Sequence, residues 1–358
     1  MVECAAVIMA AGQSTRMNTK IPKVLHEVCG RPMLEWVLTA CRAAGVTKHY
    51  VVVGYGKDQI VAKYGKDTDV VFVEQPQQRG TGHAVMCCRE HLDGFSGLTL
   101  VLCGDAPLIR TETVKTLIEK HIQEKSSVTL ATAVMADPTG YGRIVRDGYG
   151  NIQGIVEHND CNDVQRAICE INPGYFCFNT PLLLDALNKI TPNNKKNEYY
   201  LTDALHILLA DGYKATAVTA VAEEDAMGVN NRQQLSVAGK IMQQRIQEKL
   251  MANGVTIVDP PNTWIDARVE IGQDSVIEPF SYIYGQVKIG SNSRIGAGCV
   301  TTEASRNGTT AIVIGDGVFV GPGSVLNAPV KIADGQIIAP GSILGEAASC
   351  GDKESVNA

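Results

Sequence analysis

Short apolar runs alternate with helix-like segments along the first 230 residues of the chain. The runs predicted to form strands are residues 7–8, 50–53, 70–73, 98–102 and 128–133. Between them, apolar residues recur at helical spacing: Met33, Leu34, Trp36, Val37, Leu38 and Cys41, then Val114, Leu117 and Ile118 after a cap predicted at Thr111. This alternation predicts an α/β domain with a mixed, mostly parallel sheet and crossover helices.

A six-residue pattern fills the last third of the chain. Aliphatic residues stand six apart at Ile265, Ile271, Ile277, Ile283, Ile289 and Ile295, and again at Ile314, Val320, Leu326, Ile332, Ile338 and Leu344. The following residue is small at Gly272, Gly290, Gly296, Gly315, Gly321, Ala333, Ala339 and Gly345, which favours a tight turn there. Six residues per side predict a left-handed parallel β-helix of about four coils. Residues 302–312, where the series is offset, are predicted to bulge out as a loop.

These patterns divide the chain into four parts. Residues 1–230 form the predicted α/β domain. Residues 231–253, rich in Gln, Arg, Lys, Ile and Leu, are predicted to include a long connecting helix. The β-helix is predicted over residues 254–346, and the polar tail 347–358 is predicted to be disordered.

Charge and composition exclude several classes of function. The 358 residues include 32 Lys and Arg against 38 Asp and Glu, and no run of five like charges occurs, which argues against nucleic-acid or membrane-surface partners. No apolar stretch reaches the roughly 18 residues that cross a bilayer. The eleven cysteines include no C-x-x-C pair, so neither a disulfide framework nor a zinc site is indicated. With no secretory signal at the N-terminus, we expect a cytoplasmic protein.

Three loops that follow predicted strands carry residues suited to a phosphorylated ligand. Gly12, Arg16 and Lys23 follow the first strand and offer backbone N–H groups and positive charge. Gln75 and Gly80-Thr81-Gly82 follow a later strand, and Asp105 ends another apolar run. Because open parallel sheets bind ligands beyond the carboxyl ends of their strands, we expect the three loops to converge.

Each of these features also has a structural interpretation. The first loop matches neither the P-loop nor the dinucleotide fingerprint, and taken alone it is typical of an ordinary βα turn. Asp105 can be a helix cap or turn residue, or it can bind Mg²⁺ that bridges it to phosphate oxygens. We interpret His83 as a capping or core residue rather than a catalytic one.

Nine motifs in order extend this picture over residues 4–345: Ala10-Ala11-Gly12 through Arg16-Met17, Pro22-Lys23-Val24-Leu25, Gln75 with Gly80-Thr81, Gly104-Asp105, Tyr141-Gly142-Arg143-Ile144, Ile155-Val156-Glu157, Glu170-Ile171-Asn172, Glu198-Tyr199-Tyr200-Leu201-Thr202-Asp203 and Gly228-Val229-Asn230-Asn231. Together they resemble the uridylyltransferase half of the bacterial bifunctional N-acetylglucosamine-1-phosphate uridylyltransferase/glucosamine-1-phosphate acetyltransferase. The resemblance implies a Rossmann-like nucleotidyltransferase domain before the β-helix.

The resemblance also implies roles for particular residues. The nucleotide phosphates would be held by Gly12, Arg16 and Lys23, and the base and ribose would be faced by Ala10, Ala11, Gln75, Gly80 and Thr81. A Mg²⁺ ion would be shared by Asp105 and Asn230. The sugar would be contacted by Gly142, Glu157 and Asn172. The residues implied in catalysis are Arg16, Lys23 and Asp105.

The implied reaction joins UTP and N-acetylglucosamine 1-phosphate into UDP-N-acetylglucosamine, a precursor for peptidoglycan and lipopolysaccharide, and releases pyrophosphate. A phosphate monoester, with its second pKa near about 6, is already a nucleophile at neutral pH and needs no general base. This agrees with a sequence in which no His-carboxylate dyad is evident. The alternatives are a transferase that uses dTTP or another hexose 1-phosphate, and a non-catalytic scaffold that binds nucleotide sugars.

Three departures from the family pattern change the expectations. Ser14 stands where the family loop often has a second Gly, and Cys103 stands in place of a Tyr, which could alter acceptor preference. All seven histidines lie between His26 and His206, so the β-helix has none. Hexapeptide acyltransferases use a His as general base. We therefore expect no acetyltransferase activity, and expect the β-helix to assemble a homotrimer.

Overall fold

The computed structural model describes residues 2–13, 15–303 and 311–345. The chain divides into two compact units, residues 1–28 with 32–238, and residues 29–31 with 239–358. Ser14, residues 304–310 of the predicted loop and the predicted tail 347–358 lie outside the described residues.

A mixed sheet forms the centre of the first unit. The strands up to residue 219 are β1 (Cys4–Met9), β2 (Glu27–Val28), β3 (Arg31–Pro32), β4 (Lys48–Val53), β5 (Val70–Glu74), β6 (Leu98–Cys103), β7 (Val128–Val134), β8 (Gly142–Arg146), β9 (Ile152–Val156), β10 (Glu170–Asn179) and β11 (Ala215–Thr219). The sheet order is β11-β7-β10-β6-β1-β4-β5, and the β8–β9 hairpin pairs with β10. The prediction of a mixed, mostly parallel sheet is confirmed.

Antiparallel β10 was not predicted as a strand. It lies between β6 and β7 and runs antiparallel to both. Its first half pairs with β8 through Asn172 and Gly142, and with β7 through Ile171 and Ala133. One long strand therefore joins the main sheet to the β8–β9 hairpin that carries the predicted sugar residues.

Helices cover both faces of the sheet. The helices are α1 (Met33–Ala43), α2 (Lys57–Tyr64), α3 (Thr81–Cys87), α4 (Arg89–Leu92), α5 (Thr111–Glu124), α6 (Asp163–Arg166), α7 (Thr180–Leu187), α8 (Thr202–Ala210) and α9 (Arg232–Ala252). Successive strand residues point to opposite faces, so Ile8 packs in the cluster with α1 and α5 while Val7 packs in the cluster with α3, α7 and α8. The cap predicted at Thr111 was wrong by one residue, since α5 begins at Thr111 and Arg110 precedes it in extended conformation.

Short parallel strands stack into a β-helix in the second unit. They are β12 (Thr256–Ile257), β13 (Trp264–Ile265), β14 (Glu270–Ile271), β15 (Val276–Ile277), β16 (Tyr282–Ile283), β17 (Val287–Ile289), β18 (Arg294–Ile295), β19 (Val300–Thr302), β20 (Ile312–Ile314), β21 (Phe319–Val320), β22 (Val325–Asn327), β23 (Val330–Ile332), β24 (Ile337–Ile338) and β25 (Ile343–Leu344). Within the described residues they form three sheets, β12-β15-β18-β21-β24, β13-β16-β19-β22-β25 and β14-β17-β20-β23. Partners such as Ile277 and Ile295 stand three hexapeptides apart.

The β-helix contains two strands that the aliphatic series does not predict. β12 lies before Ile265, ahead of the Pro260–Asn262 turn and within the residues 254–346 predicted for the β-helix. β19 continues the six-residue series after Ile295, and its inward residue is Thr301, six positions on. The hydroxyl of Thr301 accepts from Tyr284 N at 2.7 Å and donates to Tyr284 O at 2.8 Å, which satisfies a polar group in an apolar stack.

Two of the small residues after the inward positions, Gly296 and Gly321, have a different cause from the predicted one. A Cβ at Gly296 would lie 2.6 Å from Pro322 N, and one at Gly321 would lie 2.4 Å from Pro340 N, both in the next coil. Neither glycine has a positive φ. Crowding between coils, rather than a turn conformation, therefore requires glycine at these positions.

No helix among the described residues is long and apolar enough to cross a membrane.

Candidate nucleotide site

A pocket of about 330 Å³ lies beyond the carboxyl ends of β1, β5 and β6. Its lining residues are Met9, Ala10, Ala11, Gly12, Lys23, Val24, Gln75, Gln78, Gly80, Thr81, Ala84, Cys103, Asp105 and Glu198. The three loops singled out in the sequence therefore converge on one cavity, as the parallel strand order requires.

Backbone contacts hold the first loop at the pocket wall. Ala10 N donates to Val52 O at 2.9 Å, and Gln78 Nε2 donates to Ala11 O at 2.7 Å. A Cβ at Gly12 would meet no atom within 4 Å, so the backbone there borders open space in the cavity. Arg16, in the short 3-10 helix Thr15–Met17, is exposed and is not among the lining residues.

A cluster of opposite charges closes one part of the pocket. The ammonium of Lys23 contacts Asp105 Oδ2 and lies 3.0 Å from Asn230 Oδ1. Asn230 comes from the segment before α9, which Val229 N ties to Asp105 O at 2.9 Å. The amide Asn230 N donates to Gln234 Oε1 at 2.7 Å, which fixes the residue at the helix start. The side-chain oxygens of Asp105 and Asn230, which are far apart in sequence, thus contact the same Lys23 ammonium.

The Asp105 and Asn230 oxygens suit a hard divalent cation, which prefers carboxylate and amide oxygens. The Lys23 ammonium already occupies the point between them, so the donor set accepts a positive charge. Within the described part of the chain, no group of three or more His, Cys, Asp or Glu could hold a metal. The protein would therefore supply few ligands, and phosphates and water would supply the others.

A second set of contacts orients Gln75 at another wall of the pocket. Gln75 is 5% exposed, and its Nε2 lies 3.1 Å from both Gly80 O and His83 Nδ1. Because an amide nitrogen only donates, Nδ1 of His83 is the acceptor. His83 lies in the first turn of α3, half-buried. It is neither the cap, which is Gly80, nor a fully buried core residue, so the capping or core interpretation was wrong.

The Gly80-Thr81 turn is fixed by the chain around Tyr199. Gly80 has a φ of 108°, and a Cβ there would lie 2.5 Å from Tyr199 O. Gly82 N donates to Tyr199 O at 2.7 Å, and Leu201 N donates to Thr81 Oγ1 at 3.0 Å. The motif that contains Glu198 and Tyr199 therefore shapes the part of the cavity that Gln75 and Gly80 line.

The predicted sugar residues lie together, outside the lining of this pocket. Asn172 pairs with Gly142 across β10 and β8, and a Cβ at Gly142 would lie 3.6 Å from both carboxylate oxygens of Glu157. Burial raises the pKa of Glu157, while the Thr202 hydroxyl, which donates to Oε1 at 3.3 Å, opposes that rise. Glu157 also lines a second cavity of about 320 Å³ with Asp160, Asn193, Asn194, Tyr200, Thr202 and Asp203.

Cys103 lies in the pocket wall next to the charged cluster. Burial raises the pKa of its thiol to about 12, the Asp105 carboxylate adds to the rise and Lys23 opposes it. A Cβ on Gly174 would lie 2.9 Å from its Sγ, so that glycine leaves room for the thiol. Cys103 therefore faces the pocket as a neutral group.

Sequence reasoning missed some residues of the site. Gln78 and Glu198 line the pocket without having been assigned a role. Glu198 begins the motif of residues 198–203, and Gln78 lies between Gln75 and Gly80. Nearness in sequence to these predicted site residues could have indicated both. A His-carboxylate pair also exists: His49 Nδ1 lies 3.1 Å from Asp69 Oδ2. Neither residue lines the pocket, and burial lowers the pKa of His49.

Comparison with protein families finds one match in each unit of the chain. Residues 6–168 match the MobA-like NTP transferase domain, and residues 268–303 match the bacterial transferase hexapeptide of six repeats. A solved structure of UDP-glucose pyrophosphorylase complexed with UDP-glucose is similar in fold, with a TM-score of 0.55 and 18% identity over 68% of this chain and all of that one. The fold and pocket define an NTP transferase domain followed by a left-handed hexapeptide β-helix.

Curated relatives are similar over most of the chain. The bifunctional protein GlmU of Geobacillus sp. (strain WCH70) is 44% identical over 90% of this chain and 72% of its own length. That of Caldanaerobacter subterraneus subsp. tengcongensis is 46% identical over 83% and 64%, and that of Listeria innocua serovar 6a is 42% identical over 91% and 69%. The chain belongs to the GlmU family. It spans between 64% and 72% of the lengths of these relatives.

Proposed function

We propose that this protein is a Mg²⁺-dependent nucleotidyltransferase that forms UDP-N-acetylglucosamine and pyrophosphate from UTP and N-acetylglucosamine 1-phosphate. The observation that carries the proposal is the convergence of Lys23, Asp105 and Gln75 on one 330 Å³ pocket of an NTP transferase fold. Membership of the GlmU family supports the choice of substrates. The cytoplasmic location expected from the sequence stays a prediction.

The base end of the pocket supports binding of a pyrimidine. With Gln75 Nε2 held by Gly80 O and His83 Nδ1, the amide presents Oε1 as the acceptor for a ring N–H. Uracil and thymine offer the same N–H, so the choice between UTP and dTTP rests on the family. The backbone around Ala10, Ala11 and Gly80 borders the same cavity and leaves room for a ring and ribose.

Positive charge at the other part of the pocket supports binding of the triphosphate. Lys23 lines the cavity, and Gly12 borders it with open space beside its backbone. Arg16 stands exposed on the same loop, and we keep its phosphate role as a prediction. Charge on the α-phosphate grows during displacement, so a lysine held near it lowers the barrier.

The residues that would hold the metal are Asp105 and Asn230, with phosphate oxygens and water completing the coordination. When bound, Mg²⁺ would neutralise charge on the phosphates of the nucleotide. Asp105 and Asn230 would hold the ion, and their own positions are fixed by Val229 N, which donates to Asp105 O, and by Gln234 Oε1, which accepts from Asn230 N.

The nucleophile needs only to be positioned. A sugar 1-phosphate is largely dianionic at pH 7, because its second pKa is about 6, so its oxygen attacks the α-phosphorus without a base. The bond to the pyrophosphate leaving group breaks as the new P–O bond forms. Gly142 on β8, Asn172 on β10 and Glu157 directly after β9 lie together and are proposed to contact the sugar.

Pyrophosphate release tests the reaction directly. Purified protein is given Mg²⁺, UTP and N-acetylglucosamine 1-phosphate, with glucose 1-phosphate and dTTP in parallel reactions. We expect Asp105→Asn to lose about two to three decades in rate, ~3–4 kcal/mol, because one charge contact is removed. Asp58→Asn, at an exposed carboxylate of α2, is the matched control and should retain full rate.

The same assay separates the rival functions. If the protein prefers dTTP or another hexose phosphate, the proposed substrates are wrong but the proposed nucleotidyl transfer is correct. Binding of UDP-N-acetylglucosamine without turnover of any triphosphate would contradict the transferase proposal and support a nucleotide-sugar-binding scaffold.

We further propose that the protein has no acetyltransferase activity. Residues 254–346 contain no histidine to act as general base on an acceptor amine. Turnover of acetyl-CoA with glucosamine 1-phosphate would overturn this proposal.

We propose that the β-helix assembles the protein as a homotrimer. Trp264, Tyr282, Val300, Val325 and Ile343 stand in register on the outward side of one sheet, and we call this set the apolar stripe. Tyr282 is 43% exposed and Ile343 70% exposed. The outward residues of the four-stranded sheet are instead Glu270, Lys288, Val313 and Lys331. An apolar face on a second or third copy would cover the stripe.

A further inference from the structure

Lys23 occupies the point at which the proposed metal ligands meet. Its ammonium contacts Asp105 Oδ2 and lies 3.0 Å from Asn230 Oδ1. The side chains of Lys23 and Asp105 are only 14% and 20% exposed. A carboxylate in this position is costly without a charge partner, so Lys23 stabilises the ionised Asp105.

We propose that Lys23 is a placeholder cation, which a divalent metal must displace from the Asp105–Asn230 oxygens before it can bind. The proposal rests on the proposed function, because it takes these two residues as metal ligands. It assigns Lys23 a second role, in addition to binding phosphate.

The two cations exclude each other for geometric and electrostatic reasons. Mg²⁺ bonds its oxygen ligands at about 2.0–2.1 Å, so an ion held by Asp105 Oδ2 and Asn230 Oδ1 would take the position between them where the ammonium lies. The ammonium and the metal also repel each other strongly at such separation in a partly buried site. Binding of the metal therefore requires the lysine side chain to swing away.

A polyphosphate provides the place to which Lys23 can move. Lys23 also lines the nucleotide pocket, and its four-carbon stem is flexible, so its ammonium can pair with phosphate oxygens instead of Asp105. Nucleotide binding would then free the two oxygens for the metal. By linkage, metal binding would tighten the nucleotide by the same factor. The lysine thus couples the two ligands and weakens metal binding when no nucleotide is bound.

Direct metal binding to the nucleotide-free protein tests the proposal. Free Mn²⁺ is measured by electron paramagnetic resonance with wild type, Lys23→Met and two control variants. Lys23→Met removes the ammonium and keeps the stem, so we expect it to bind Mn²⁺ at least about tenfold more tightly than wild type, the equivalent of a lost charge-assisted hydrogen bond.

The controls distinguish two effects on Mn²⁺ affinity: removal of the ammonium from the position of the metal, and the general loss of one positive charge. Lys20→Met and Arg16→Met remove one charge each from the same loop without uncovering Asp105, so their Mn²⁺ affinity should stay within about twofold of wild type. The double variant Lys23→Met with Asp105→Asn should not show the tighter Mn²⁺ binding of Lys23→Met. Circular dichroism of each variant verifies folding.

A second measurement uses unmutated protein. Acylation of Lys23 by a lysine-selective reagent, quantified by peptide mass spectrometry, should rise when Mn²⁺ is added, because the ammonium is expelled. In Asp105→Asn the addition of Mn²⁺ should leave labelling unchanged.

Three results would overturn the placeholder role. The first is equal Mn²⁺ affinity in wild type and Lys23→Met. The second is a rise in Mn²⁺ affinity in Arg16→Met as large as that in Lys23→Met. The third is Lys23 labelling that Mn²⁺ does not change. None of them affects the transferase proposal, which pyrophosphate release by wild type decides. Absence of Mn²⁺ binding to any variant would overturn the placeholder together with the assignment of Asp105 and Asn230 as ligands.

Discussion

The imidazole Nδ1 of His83 lies 3.1 Å from the amide Nε2 of Gln75. With Gly80 O on the same nitrogen, this contact determines which end of the amide is presented to the pocket. A histidine that contacts no ligand itself would therefore set the orientation of the proposed base-recognition group, as a positioning residue.

Replacement of His83 should weaken nucleotide binding more than it slows chemistry. His83→Ala removes one acceptor from Gln75, so we expect KM for UTP to rise about fivefold, ~1 kcal/mol, with kcat nearly unchanged. His83→Asn, whose amide oxygen can accept from Gln75, should restore part of the loss. His91→Ala, at a ring that stacks on Tyr50, is the control. An unchanged KM in His83→Ala would contradict the role.

Gly80 cannot accept a side chain. Gly80→Ala should lower the free energy of unfolding by about 1–3 kcal/mol from backbone strain alone, with more from the clash of its Cβ with Tyr199 O. Chemical denaturation measures the loss, and UTP affinity should fall with it because the turn borders the pocket. Gly148→Ala, where a Cβ meets nothing within 4 Å and φ is not positive, should have little effect. Equal stability of the two variants would show that the Gly80 turn can relax.

Burial of Glu157 predicts a pH-dependent stability difference. Its folded-state pKa is raised above the ordinary value of 4.5, so the native state holds this proton more tightly than the unfolded chain does. Its contribution to stability is then fully present below pH 4.5 and is lost as pH rises through the raised pKa. Glu157→Gln, which never ionises, should therefore be the more stable protein at neutral pH.

Urea denaturation of wild type and Glu157→Gln from pH 4 to pH 8 measures this difference. The gap in unfolding free energy should open as pH rises above 4.5 and become constant above the raised pKa. A gap that is constant over the whole range would indicate that the substitution acts through packing rather than ionisation.

Disruption of the apolar stripe should dissociate the assembly. Tyr282→Glu places a charge at the middle of the stripe, where burial against another copy would be strongly unfavourable. Light scattering after size-exclusion chromatography should give three times the 38.3 kDa chain mass for wild type and a smaller particle for Tyr282→Glu. Lys288→Glu, on the charged sheet, should remain assembled. A monomeric wild type would refute the trimer.

Periodic residues made most of the fold predictable. The alternation of apolar runs and helix-like segments predicts the parallel strands, because burial on both faces of a sheet demands continuous apolar runs. β10 was missed because Asn172, Pro173 and Gly174 interrupt its first half and leave a continuous apolar run only over residues 175–178. Thr301 was missed because it satisfies an inward position by hydrogen bonding rather than by apolar burial.

The candidate site was predictable only as a set of loops. Strand order brings the ends of β1, β5 and β6 together, so Gly12, Gln75 and Asp105 could be expected to meet. The contact between Lys23 and Asn230 spans 207 positions and depends on the chain returning to Asp105 through Val229. The place of His83 against Gln75 depends on how the first turn of α3 faces the end of β5.

Sequence alone determined most elements of this protein, because continuous apolar runs, the helical period of 3.6 residues and the six-residue period each match one regular backbone geometry. It also determined the chemical types available to the pocket. Tertiary structure alone decided which atoms meet in the pocket: the Lys23 ammonium lies between two oxygens, and the Gln75 amide is held by His83. It also decided that the apolar stripe lies on the outward side of one sheet of the β-helix. Such contacts join residues distant in the chain, and their distances follow from packing rather than from any local preference.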